Sequence, residues 1–285
     1  DLVRSRGLGD VYKRQEGASL VRQAQRLHKA TGSLQSQERF FHGRALIERG
    51  EYLQAVQLLQ EALKLDSGAS HAHNALGLAM WKQNLLEQAI PPLQQAMALS
   101  PNWTYPRNTL GLIYLEQRRY REAEQSFQSS IELNSDDSMA YHCLGQLYLL
   151  LARAQEAETQ LLHAVEVNPG NAYAYETLGK LYQRQQQWVK AEEMFRLAIR
   201  LEPEETSFQV SLGELLQRAG RPEEAQSLFG RLVKQNPANP HILRAYAVFL
   251  AAQNNNAEAE KRFKQATQTS PHDPTLHVRF GLFLQ

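Results

Sequence analysis

Small and large apolar residues recur along this chain in a fixed order. Glycines stand at Gly43, Gly77, Gly111, Gly145, Gly179 and Gly213, each 34 residues after the last, and the next two steps fall on Ala247 and Gly281. Twelve residues past each comes alanine, from Ala55 and Ala89 through to Ala259. Four further on lies Leu59, Leu93, Phe127, Leu161, Phe195, Phe229 or Phe263, and three beyond that a residue such as Ala62, Ala96 or Ala164. Leucine precedes most of the glycines, as at Leu76, Leu110 and Leu144, and a large residue such as Tyr114, Tyr148 or Tyr182 follows three later. Leu, Gly and Tyr at i, i+1 and i+4 share one face of a helix, and Ala, Phe and Ala at i, i+4 and i+7 share one face of a second. Glycine on one helix and alanine on the other let two backbones approach while the larger residues fill the flanking holes. One such pair is too small to bury its own apolar face, so the pairs must stack.

The polar punctuation agrees. Pro101, Pro169, Pro203, Pro237 and Pro271 recur at one position and end the second helix, with Ser67 and Ser135 standing in for proline. Asp137, Asn171, Asn239 and Asp273 are placed to cap the following first helix. Gly50, Asn84, Gly220 and Asn254 suit the tight turn inside a pair. Pro91 and Pro92 fall inside a second helix and are expected to kink or shorten it.

The pattern Leu-Gly-x-x-Tyr, then Ala-x-x-x-Phe-x-x-Ala, then Pro, at a period of 34, resembles the tetratricopeptide repeat family. The resemblance implies an all-α fold, a right-handed α-α superhelix of antiparallel helix pairs. Seven repeats cover 36–69, 70–103, 104–137, 138–171, 172–205, 206–239 and 240–273, and a first helix of an eighth begins at 274–285. Residues 18–30, within a 16–35 stretch, read as one further helix in poor register. The segment 5–15, SRGLGDVYKRQ, resembles one translated frame of a sequencing adapter, so residues 1–15 are expected to be a non-native tail and are left out of the fold. The chain is accordingly expected to be a fragment. Phe280, Leu282, Phe283 and Leu284 are expected to lack a covering second helix and to promote self-association.

Charge changes this picture little. The chain has 285 residues and a net charge of +1, from 31 basic and 30 acidic residues. The tail holds Arg4, Arg6, Lys13 and Arg14 against Asp1 and Asp10, so the remainder carries 27 basic residues against 28 acidic. Such a balance gives no general attraction to nucleic acid or an anionic membrane, and no aromatic-basic stripe points to nucleic acid. No stretch reaches the roughly 18 apolar residues of a membrane span.

Catalytic, metal and cofactor motifs are not found. The single cysteine, Cys143, next to the Leu-Gly position, reads as a packed thiol. His71 and His73 lie about 200° apart around a helix, and the nine histidines form no ligand pair. Acidic doublets such as Glu223-Glu224 read as solvated helix starts.

Function therefore falls to the inner wall of the stack. In the family, repeat positions two, five, nine, twelve and thirteen face that wall. Carried over residue by residue, the candidates are Asn74, Leu78 and Trp81, then Tyr105, Asn108 and Leu112, then Met139, His142 and Gln146, then Tyr173, Glu176 and Lys180. The earlier repeats offer apolar and aromatic surface, and the later ones charge. Asn74 and Asn108 are equivalent and suited to an extended peptide's backbone amides. The competing reading is that these residues pack between repeats. The family's carboxylate clamp, Lys and Asn at positions five and nine, has no counterpart here, so chaperone-tail binding is not expected. The expectation is a non-enzymatic scaffold that grips a partner peptide or helix, and the alternative is the docking arm of a larger enzyme.

Overall fold

The computed structural model describes residues 34–271 and 273–284; the adapter-like segment and the helix expected at 18–30 fall outside them. Among the described residues are fifteen α-helices and no strand. They form two compact units, one ending at Asn168 and the other beginning at Pro169. The first unit stacks α1 (Leu34–Arg49) with α2 (Tyr52–Leu65), α3 (Ser70–Lys82) with α4 (Leu86–Leu99), α5 (Tyr105–Glu116) with α6 (Tyr120–Leu133), and α7 (Ser138–Leu150) with α8 (Ala154–Val167). The second stacks α9 (Ala172–Arg184) with α10 (Trp188–Leu201), α11 (Thr206–Arg218) with α12 (Pro222–Gln235), and α13 (Pro240–Ala252) with α14 (Asn256–Thr269), followed by α15 (Pro274–Phe283). Within a unit each helix packs on the next, and each first helix also touches the first helix of the following pair, so these helices line one side. The fold is all-α, of the α-α superhelix class.

The small residues do what their spacing predicts. Ala55, Ala89, Ala123, Ala157, Ala191, Ala225 and Ala259 have no exposed surface, nor do Leu59, Leu93, Phe127, Leu161, Phe195 and Phe229. A Cβ on Gly77 would stand 2.5 Å from Leu93 Cγ and 3.2 Å from the Ala89 carbonyl oxygen, and one on Gly111 would stand 2.5 Å from Phe127 Cε1. Glycine is thus the only residue that lets the two backbones approach this far at these sites.

The turn inside each pair has a period of its own. Gly50, Asn84, Arg118, Ala152, Gln186, Gly220 and Asn254 all hold positive φ, between 59° and 81°. Four of these seven are the turn residues expected from the sequence. Arg118, Ala152 and Gln186 adopt the same left-handed backbone although a side chain disfavours it by about 1–2 kcal/mol. Replacing Ala152 by glycine is therefore expected to stabilise the chain by about 1 kcal/mol, after the extra freedom glycine gives the unfolded chain. The check is a higher urea midpoint at unchanged slope; an unchanged or lower midpoint contradicts it.

The anticipated caps are in place. Asp137 accepts from the Ala140 amide at 3.0 Å, Asn171 from Ala174 at 3.1 Å, Asn239 from His241 at 3.0 Å and Asp273 from Thr275 at 2.8 Å. Glu205 joins them, accepting from the Ser207 amide. The two prolines of α4 do not shorten the helix. It spans 14 residues, as α2 and α6 do, with Pro91 and Pro92 inside it. The carbonyls that lose their donors belong to Glu87 and Gln88, both exposed to water, and the buried face Ala89–Leu93–Ala96 runs on unbroken.

An arginine at the start of several second helices ties neighbouring pairs together. Arg153 bonds Glu156 on its own helix and Glu124 of α6 at 3.1 Å, and its guanidinium lies 4.1 Å from the centre of the Tyr148 ring. The Tyr148 hydroxyl donates to Glu124 at 2.7 Å, and burial together with that carboxylate pushes the phenol up to about 12. Arg221 repeats the arrangement with Glu224 and Glu192 at 2.6 and 2.5 Å.

The terminal helix only partly fits the expected uncovered face. Phe280 and Phe283 stack on Phe263 of α14, with centroids 5.5 and 5.3 Å away, whereas Leu282 and Leu284 stay exposed.

Candidate partner-binding site

In the first unit most of the residues expected on the inner wall are used up in joining one repeat to the next. Leu112 and His142 have no exposed surface, which corrects the expectation that they touch a partner. Asn74, Leu78, Trp81, Asn108 and Met139 are buried as well. Asn108 shows why: its Nδ2 donates at 2.9 Å to Asp137, the cap of the next first helix, so position five reaches across to the following repeat. At Asn74 the equivalent partner position holds Trp103 instead of a carboxylate. The Oδ1 atoms of both asparagines are buried without a hydrogen-bond partner. Tyr105 and Gln146 keep partial exposure. An edge-on contact of His71 with Trp103, centroids 4.4 Å apart, and the neighbouring Tyr105 ring complete an aromatic ledge. Burial, then the nearby Arg44, holds the His71 imidazole below its ordinary value. Trp103 was not among the expected residues, because it stands where other repeats carry a cap.

The second unit concentrates charge. Glu176 of α9 is buried, paired with Lys180 at 2.7 Å, and accepts from the Ser211 hydroxyl of α11 at 2.8 Å. The Tyr173 hydroxyl donates to Glu205 at 3.2 Å, and its ring meets Phe208 edge-on, so Tyr173 is largely structural. Glu214 of α11 faces Lys180, Arg244 and Arg218, and the surrounding protein raises its pKa although the residue meets water. His241 of α13 is likewise exposed yet hemmed in, and this enclosure with Arg244 lowers its pKa to about 4. In stacked helix pairs the first helices line the concave surface. It is lined by α9, α11 and α13, which are in contact in that order.

Of the expected residues, Tyr173, Glu176 and Lys180 are therefore brought together, Lys180 the most exposed. Glu214, one of the charged wall positions the sequence offers in the sixth repeat, joins them, and Ser211, His241 and Arg244, which were not among the candidates, complete the set. The signal was present: Glu214, His241 and Arg244 occupy wall positions nine, two and five of their repeats.

Burial, reinforced by Asp137, pushes the Cys143 thiol up, away from the reactive thiolate. Among the described residues no three His, Cys, Asp or Glu side chains could hold a metal ion, and no helix is long and apolar enough to cross a membrane.

Three family models match the chain: a TPR repeat over residues 43–84, the second ARM domain of tetratricopeptide repeat protein 21 over 75–202, and a tetratricopeptide repeat over 216–278. The chain belongs to the tetratricopeptide repeat family. No curated protein sequence matches it. Among solved structures, a tetratricopeptide repeat protein from Parabacteroides merdae is 16% identical with a TM-score of 0.69, covering 88% of this chain and 99% of that one. The Cut9–Hcn1 hetero-tetramer of APC/C is 13% identical at 0.67, covering 86% of this chain. The human IFIT1 dimer with m7Gppp-AAAA is 16% identical at 0.70, again over 86%. This chain spans 48% of the Cut9–Hcn1 chain and 61% of the IFIT1 chain. At these identities the likeness is one of fold. Arrays of tetratricopeptide repeats are protein-interaction scaffolds and are in general non-catalytic.

Proposed function

We propose that this chain holds a segment of a partner protein on the first-helix side of its repeats, without a reaction of its own, and that the concave face of α9, α11 and α13 is the main grip. The observation that carries this reading is the convergence of Lys180, Glu214, His241 and Arg244 from three successive first helices, with Glu214 and Arg244 in electrostatic reach but making no ion pair. Of a carboxylate and a guanidinium held apart in a concavity, the first can accept a hydrogen bond from a peptide N–H and the second can donate one to a peptide carbonyl. The aromatic ledge of His71, Trp103 and Tyr105 in the first unit offers a second, less polar contact. A protein segment fits better than RNA. The m7Gppp-AAAA belongs to IFIT1, and the wall here mixes both signs of charge where a phosphate backbone calls for a basic surface.

The test uses a photo-reactive phenylalanine analogue at Gln217, one turn from Glu214 on the same face of α11, and separately at the exposed Arg200 of α10. Peptides selected on the full chain from a random display library are expected to cross-link at Gln217 and not at Arg200. Cross-linking at Arg200 alone would place the grip on the second-helix side and end this reading.

A further inference from the structure

We infer that the groove of the second unit selects an acidic segment: a partner carboxylate sits between the guanidiniums of Arg218 and Arg244, and an apolar neighbour rests on Val248. This deepens the docking reading above and rests on it.

The argument is an accounting of charge. Glu176 is already engaged by Lys180 and Ser211, at 2.7 and 2.8 Å. Glu205 is engaged by the Tyr173 hydroxyl and the Ser207 amide of α11. Glu214 is the carboxylate left facing the groove. Arg218 and Arg244 both act on Glu214, yet among the described residues neither has a carboxylate within 4.0 Å. Two guanidiniums thus remain against one carboxylate. His241, beside Arg244, adds no charge at neutral pH. The local surplus is positive although the chain as a whole is near neutral, and a planar guanidinium fork is matched best by a carboxylate. Val248 lies one turn beyond Arg244 on the same helix face and is 41% exposed. An acidic side chain followed by an apolar one meets both features.

The probes are three fluorescein-labelled peptides of one length, built on alternating Glu and Leu, Gln and Leu, or Lys and Leu, titrated into the full chain by anisotropy. The Glu-Leu peptide is expected to bind about tenfold tighter than the Gln-Leu peptide, the Lys-Leu peptide weakest, with the gap narrowing from about 0.05 M to about 0.5 M salt. Arg244→Glu is expected to weaken the Glu-Leu peptide about tenfold or more, and Arg218→Glu less. Glu214→Gln is expected to tighten it several-fold, because the competing carboxylate is gone; a purely structural role for these residues would not produce a gain. Arg200→Glu on α10 is the control and should change nothing. Should Arg244→Glu lose its helical circular dichroism, Arg244→Gln carries the same test. Equal binding of the Glu-Leu and Gln-Leu peptides, or undiminished binding to a folded Arg244 variant, overturns the proposal. If Gln217 still cross-links selected peptides in that case, docking stands and only the acidic preference falls. If nothing cross-links at Gln217, both fall.

Discussion

Phe127→Ala is expected to remove about 4 kcal/mol from the stability of the first unit. The ring has no exposed surface and lies across Gly111, filling the space that a side chain would otherwise occupy. Truncation therefore loses the transfer free energy of the ring and leaves a cavity with a glycine wall, which has no side chain to collapse into it. That places the cost in the upper part of the usual range of about 3–5 kcal/mol, a large share of a domain's total of about 5–15 kcal/mol. Phe127→Leu should cost only about 1 kcal/mol, because leucine fills the equivalent site at Leu59, Leu93 and Leu161 with no exposed surface. In a stacked array, contacts run only between neighbours, so the loss should be centred on α5 and α6. Urea unfolding gives the size, and amide hydrogen exchange gives the location. If Phe127→Ala unfolds within about 1 kcal/mol of the parent, the ring is not what holds the pair together.

The helix pairs were legible because their cause is local and repeated. Glycine at one position and alanine twelve later leave no other way for two helices to touch, and seven copies of the signal reinforce one another. The left-handed turn was half legible. Gly50, Asn84, Gly220 and Asn254 announce it by composition, but Arg118, Ala152 and Gln186 hold the same backbone only because the packed helices on either side impose it. That α4 keeps its full length has a related reason. Pro91 and Pro92 cost two amide donors, but Glu87 and Gln88, whose carbonyls they strand, are exposed residues and the buried stripe beside them is intact.

The first-helix wall of the stack was legible in the sequence, but the exposure of its side chains was not. Family positions identify which side of a helix faces the groove, and they cannot say whether the side chain there reaches solvent or the next repeat. Asn108 and Asp137 are 29 residues apart, and nothing in either residue foretells their 2.9 Å bond. Exposure depends on such partners in adjacent repeats: Leu112 disappears into the stack while Val248, at the same repeat position, stays open. Glu214 on α11 and His241 and Arg244 on α13 are brought together only because two successive first helices touch, so what each residue can do depends on the neighbouring repeat.

The sharpest test of the packing principle is a substitution whose sign changes with position. Gly77→Ala is expected to destabilise the chain by about 2 kcal/mol. Helix propensity alone predicts the reverse, since alanine is better than glycine inside a helix by about 1 kcal/mol. The added methyl, however, would lie 2.5 Å from Leu93 Cγ and 3.2 Å from the Ala89 carbonyl oxygen. The first is a branch point of a side chain with no exposed surface, and the second is backbone, so neither can swing aside without moving α3 off α4. Overpacking of that kind costs about 3 kcal/mol and outweighs the propensity gain. Gly281 occupies the same repeat position in α15, and a Cβ there would meet nothing within 4 Å. Gly281→Ala should therefore keep the propensity gain and raise stability by up to about 1 kcal/mol. Urea midpoints of the two variants moving in opposite directions support close backbone approach as the reason for the 34-residue period; a stabilising Gly77→Ala would show that the helices can separate by a methyl group at little cost.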